Sequence, residues 1–226
     1  MNHSQEELDV EEHCRSMKSR FGQWDQTGKQ EAKLMLLDSE RLHSVRKLLS
    51  LDCNDDPLWA QQLLEQLAPQ LEEVQLWNVE KCHLVCLQNM PQLRRLEVEG
   101  WSEALEADPY KFPPLDPGIA GLQFLHVFLP KETSLSLIAA HGHSLKELEV
   151  YVGLKLRMNG RQWICKDLTK RLSACGLENL QGMVLRRGDE REGFHPTERC
   201  DAQIKSLSHK LPWVRIFCDK CENIPW

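Results

Sequence analysis

Aromatic residues are scarce in this 226-residue chain: two tyrosines and six phenylalanines accompany seven tryptophans. No apolar run approaches the roughly 18–20 residues that a membrane-crossing helix needs, so the sequence predicts no transmembrane segment and no membrane partner. Positive charge is not in excess. Against 28 Lys and Arg stand 34 Asp and Glu, a formal charge of −6, which excludes the clustered cations that bind phosphate backbones and with them a nucleic-acid partner. Catalytic signatures are missing as well: there is no GxSxG, no phosphate-cradling glycine loop and no HExxH, so no enzyme, catalytic residue or cofactor is expected. The start, Met1-Asn2-His3-Ser4-Gln5-Glu6-Glu7, lacks the basic and apolar regions of a secretory signal. Nine cysteines, an odd number, then read as thiols in a reducing compartment, cytoplasmic or nuclear. In that setting the Asn2-His3-Ser4 sequon and the Arg187-Gly188-Asp189 tripeptide have no role.

Leucine is abundant, with 36 copies. Such an excess belongs to helical bundles, coiled coils or leucine-rich solenoids, and spacing decides between them. One pattern recurs: Leu71-x-x-Val74-x-Leu76, Leu93-x-x-Leu96-x-Val98, Leu122-x-x-Leu125-x-Val127 and Leu145-x-x-Leu148-x-Val150. Looser copies follow at Leu180-x-x-Met183-x-Leu185 and Leu211-x-x-Val214-x-Ile216, and a degenerate first copy ends Leu49-x-Leu51. From Leu71, Leu93, Leu122, Leu145, Leu180 and Leu211 the start-to-start spacings are 22, 29, 23, 35 and 31 residues, close to the 20–29 residues of leucine-rich repeats. The last two apolar residues of each copy share one face of an extended strand. A strand that short buries little alone, whereas stacked copies make one continuous core.

Between the strands lie helical patterns. Leu58-Trp59-Ala60-Gln61-Gln62-Leu63-Leu64 follows the start signal Asp55-Asp56-Pro57 and stops near Pro69. Segments beginning at Ser134, Asp167 and Ala202 carry similar spacing. The expected fold is therefore α/β: a leucine-rich-repeat solenoid, a short right-handed horseshoe of parallel strands backed by helices, with an N-terminal helical cap. Residues 1–44 read as a helical, partly flexible segment, and residues 45–226 as about six to seven irregular repeats.

The stretches Leu67-Ala68-Pro69-Gln70-Leu71, Met90-Pro91-Gln92-Leu93 and Ile138-Ala139-Ala140-His141-Gly142-His143-Ser144-Leu145-Lys146-Glu147-Leu148 resemble the L-A-x-x-C-P-x-L-x-x-L-x-L units of F-box leucine-rich-repeat proteins. The resemblance covers about residues 45–220; the F-box signature itself does not occur in residues 1–44. It implies a protein-recruiting solenoid, a ubiquitin-ligase adaptor as partner, and a role as substrate-recognition subunit of a cullin-RING (SCF-type) ligase. A free-standing adaptor or inhibitor is the alternative reading, and a zinc-stabilised regulatory protein the third.

In such a solenoid the strand positions between inward residues line the concave face. Counting from the last apolar residue of each copy gives one lateral row of Trp77, Glu99, Phe128, Tyr151, Arg186 and Phe217, with Glu97, His126 and Glu149 beside it. Trp, Tyr and Arg dominate binding hot spots. Neighbouring glutamates favour a basic or amphipathic protein segment. The same aromatics can equally cover the solenoid's own strand edges, since they are favoured on strands anyway.

The pair Cys218-x-x-Cys221 is a single knuckle, with His195, Cys200 and His209 irregularly spaced upstream. Zinc sites of known pattern show two pairs, so no metal ligand is assigned. The proline-rich stretch Pro109–Pro117 reads as a loop inserted between repeats and overhanging the rim of the concave face.

Overall fold

A computed structural model of the chain describes residues 6–13, 26–116, 118–152, 167–187 and 197–221. The sequon at Asn2, the loop positions 188–193 and His195 lie outside these residues. The chain divides into two compact units, Met1–Gly100 and Trp101–Trp226.

The first unit holds β1 (Glu7–Asp9), α1 (Gln26–Leu37), a 3-10 turn over Glu40–Ser44, β2 (Lys47–Asp52), α2 (Pro57–Leu67), β3 (Glu73–Trp77), α3 (Lys81–Leu87) and β4 (Arg95–Glu99). Its strands pair in parallel and in chain order. Local chemistry sets the helices. Asp56 caps α2 by accepting the Trp59 amide at 3.2 Å, Pro57 opens the first turn, and Trp59, Ala60, Leu63, Leu64 and Leu67 form its buried stripe. The same Asp56 carboxylate receives Lys33 of α1 at 3.0 Å, and Trp59 Nε1 donates to the Lys33 carbonyl at 3.1 Å. That anchors α1 against α2.

β1 is a strand within the N-terminal segment read as helical and partly flexible, where α1 and the 3-10 turn are the helical part. Glu7-Leu8-Asp9 carries one apolar residue, too little for a repeat signature, yet Leu8 sits opposite Leu48 and is 2 % exposed. β2 also differs in register. The expected inward pair was Leu49 and Leu51, whereas Leu48 and Leu51 are the buried ones. A bulge between them, with Ser50 at φ +56°, accommodates the extra residue and returns Leu51 to the core side.

The second unit holds α4 (Glu103–Ala107), β5 (Phe124–Phe128), α5 (Lys131–His141), β6 (Glu147–Tyr151), α6 (Leu168–Ser173), β7 (Gly182–Arg186), α7 (Thr197–Lys210) and β8 (Arg215–Cys218). Its strands too are parallel neighbours in chain order. All eighteen apolar residues of the six repeated motifs are buried, none exposed by more than 9 %. Each such burial contributes roughly 1.5–3 kcal/mol relative to leaving the side chain in water.

The units share a backbone device. The carbonyl before a strand accepts the amide of the corresponding residue one repeat later: Arg46 from Glu72 and Glu72 from Arg94 in the first unit, and Gln123 from Lys146 and Lys146 from Gln181 in the second; at β8 the Gln181 carbonyl accepts from Arg215, one residue further along. Beyond the strands, Cys53 donates to Trp77, Val79 to Glu99 and Val152 to Arg186. Backbone groups close the repeat there without an asparagine side chain. Among the described residues no helix is long and apolar enough to cross a membrane.

Candidate functional site on the outward strand faces

Alternation along a strand puts every second side chain on the face away from the core. In the first unit that face carries an ion ladder: Lys47 Nζ lies 3.2 Å from Glu73, Glu73 is 3.2 Å from Arg95 Nε, and Arg95 Nη2 is 3.0 Å from Glu97. Glu97 is thus already paired. Trp77 and Glu99 end β3 and β4, half-buried.

In the second unit the outward face is built around one carboxylate. Glu149 lies in the middle of β6, only 8 % exposed. Its Oε2 accepts Arg186 Nη2 at 2.6 Å and Arg186 Nε at 2.9 Å, and lies 3.1 Å from His126 Nδ1. Register makes this possible, because His126 on β5 faces Glu149 directly and Arg186 ends the next strand, opposite Tyr151. Burial alone would raise the Glu149 carboxyl, but the hydrogen bonds from His126 and Arg186 outweigh it and hold the group below its ordinary range. A carboxylate so engaged is a poor proton acceptor. Its chemistry is positional.

Around this network the aromatic rings touch in series. Phe128 and Tyr151 are 4.6 Å apart between centroids at a 45° tilt, His126 meets Tyr151 at 5.5 Å near edge-on, and Trp101 lies 6.3 Å from Phe128. Phe128 and Tyr151 are half-buried. The sequence reading missed Trp101, which follows β4; its place two residues beyond Glu99 was the available signal.

One expected position changes. Phe217 is not in the row of Phe128, Tyr151 and Arg186. β8 pairs with Met183 opposite Ile216 and Leu185 opposite Cys218, which places Phe217 opposite Val184, in the row of His126 and Glu149. The last repeat is read two residues too early if Cys218 is not counted as an inward residue. Val184, on the same face, is itself buried.

The start of the proline-rich insertion, Tyr110–Phe112, is held on α5 rather than over this face. Phe112 donates its amide to Ser136 Oγ at 3.1 Å and Ser136 Oγ donates to the Tyr110 carbonyl at 3.2 Å, so the segment packs on α5. Between it, α5 and α6 lies a groove of about 510 Å3 lined by Phe112, Leu135, Ala139, Arg171 and Cys175.

Among the described residues one group of ligand-type side chains lies close enough to share an ion: Cys200, Cys218 and Cys221, with sulfurs within 4.8 Å of one another. No protein-family model, curated protein or solved structure matches the chain. The geometry of the faces therefore carries the functional reading.

Proposed function

We propose that the chain is a leucine-rich-repeat solenoid that binds another protein without catalysing a reaction, and that the outward face of β5–β7 is its contact surface. The observation that carries this reading is the contiguous, half-buried run Trp101, Phe128, Tyr151 and His126, fixed in place by the Glu149–Arg186 pair. Rigid aromatic rings lose little rotamer freedom on binding and supply large contact area. Glu97 and Glu149 spend their charge inside the protein, so the partner is better described as an amphipathic segment than as a purely basic one. Its apolar side chains lie on Phe128 and Tyr151, and a cation reaches the exposed Glu147.

The likeness of the repeats to F-box leucine-rich-repeat proteins supports placing the chain as a substrate-recognition component of a cullin-RING ligase, with a free-standing adaptor as the alternative. Affinity capture with the intact chain beside the Phe128→Ala/Tyr151→Ala variant tests both. A partner recovered by the first and lost by the second, with the variant folded, supports the face. Recovery of cullin and its adaptor by both baits supports the ligase role. If every captured protein is retained equally by the variant, the face is not the contact surface.

A further inference from the structure

Three thiols converge where the second unit's last strand ends. Cys200 lies in the first turn of α7, Cys218 closes β8, and Cys221 follows in the turn sealed by its amide donating to the Cys218 carbonyl at 3.2 Å. Cys200 and Cys218 are buried, but Cys221 is exposed. A cysteine serving only as a small apolar filler does not need to sit at the surface.

The sulfur separations match a shared ion. Cys200 and Cys221 sulfurs are 3.8 Å apart, and all three fall within 4.8 Å of one another. Zinc–sulfur bonds of about 2.3 Å at tetrahedral angles put ligand sulfurs about 3.8 Å apart. A disulfide requires roughly 2.05 Å.

Charge points the same way. Arg187 is 7 % exposed, and its Nη2 donates to Cys200 Sγ at 3.3 Å. The guanidinium also donates to the Val152 carbonyl at 3.3 Å and to Gln203 Oε1 at 2.7 Å. A buried cation wants anionic partners. Three thiolates, one divalent ion and one guanidinium sum to zero: −3, +2 and +1. Asp219 stays outside the set, its Oδ1 accepting the Arg187 amide at 3.1 Å.

We propose that Cys200, Cys218 and Cys221 bind one zinc ion. Arg187 acts as the outer partner that balances the ligands. The ion ties the start of α7 to the end of β8, the strand that pairs with β7. This site is separate from the outward face proposed for partner binding, and neither proposal depends on the other.

The test uses the full chain, purified reduced and metal-free, then titrated with zinc and, separately, with cobalt(II). Expected are one ion per chain, a thiolate-to-cobalt charge-transfer band and the visible absorption of tetrahedral cobalt. Cys221→Ser, at an exposed position, should fold and should lose more than the roughly 10–100-fold in affinity that outer-partner substitutions cost. Cys82→Ser and Cys86→Ser, in α3 of the other unit, should bind as the parent does. Absence of the charge-transfer band, or unchanged affinity in Cys221→Ser, overturns the site. So does a reduced chain that takes up no metal but forms a disulfide among these cysteines on mild oxidation.

Discussion

Arg186 places both Nη2 and Nε on a single oxygen of Glu149, at 2.6 and 2.9 Å, across the pairing of β6 with β7. The arrangement leaves neither charge available for an outside partner and fixes the strand against which Tyr151 stands. A double-mutant cycle with Glu149→Gln and Arg186→Gln should give a coupling of about 1–2 kcal/mol in urea denaturation at pH 7, within the range for residues that share a hydrogen-bonded ion pair. A coupling near zero contradicts the pairing. The pH sign follows from the depressed Glu149 carboxyl: its contribution is present above the ordinary carboxylate range and is lost as pH falls through the lower folded value.

His141 should make the second unit acid-sensitive. Its Nδ1 accepts the Leu122 amide at 3.2 Å. Burial, reinforced by His143, lowers it from 6.5 to about 4. The unfolded chain binds this proton below pH 6.5 while the folded chain refuses it until about 4, so stability falls as pH drops through that window. The loss is on the order of 3 kcal/mol. His141→Asn keeps an acceptor and removes the titration. The difference between wild type and variant should therefore grow between pH 6.5 and 4 and stay flat between pH 7 and 8. Parallel curves over the whole range contradict the assignment.

Gly142 is where α5 meets the loop after α6. A Cβ there would stand 1.8 Å from the Cys175 carbonyl oxygen, with backbone rather than a flexible side chain in the way. Gly142→Ala should destabilise by about 1–3 kcal/mol, the range for overpacking. Its melting temperature should drop measurably. A variant as stable as the parent shows that the two backbones do not approach so closely.

Leu8 tests the N-terminal strand. Leu8→Ala removes a side chain buried opposite Leu48 and should cost roughly 2–4 kcal/mol, whereas an exposed residue on a loose segment would cost little. Hydrogen exchange of the Leu48 and Leu49 amides provides a second readout, faster in the variant if β1 covers β2.

These residues show which parts of the fold were legible before the structure. Period-two alternation in Leu71–Leu76 through Leu145–Val150 is a local signal, and the inward residues it names are buried. The helix over Pro57–Leu67 was legible for the same reason, with its cap and its stripe both written in sequence. Errors arose where one residue changes register. Ser50 adds a bulge that no composition marks, and Cys218 fills an inward position that an apolar pattern skips. β1 is too short to show any period. Pairings made by tertiary approach, such as Trp101 with Phe128 or Cys200 with Cys221, join residues 27 and 21 positions apart and leave no spacing rule to read.

The central claim is that the Phe128–Tyr151 face holds an amphipathic protein segment. The most direct measurement is selection of peptides from a random library on the intact chain, followed by Kd determination against three variants: Phe128→Ala, Tyr151→Ala and, as a control on the exposed side of α3, Val85→Ala. The account predicts peptides with apolar or aromatic anchors whose affinity falls at least tenfold, about 1.4 kcal/mol, in each of the first two variants and is unchanged in the control. Peptides that bind all four proteins equally, or that lose affinity only with Val85→Ala, contradict it.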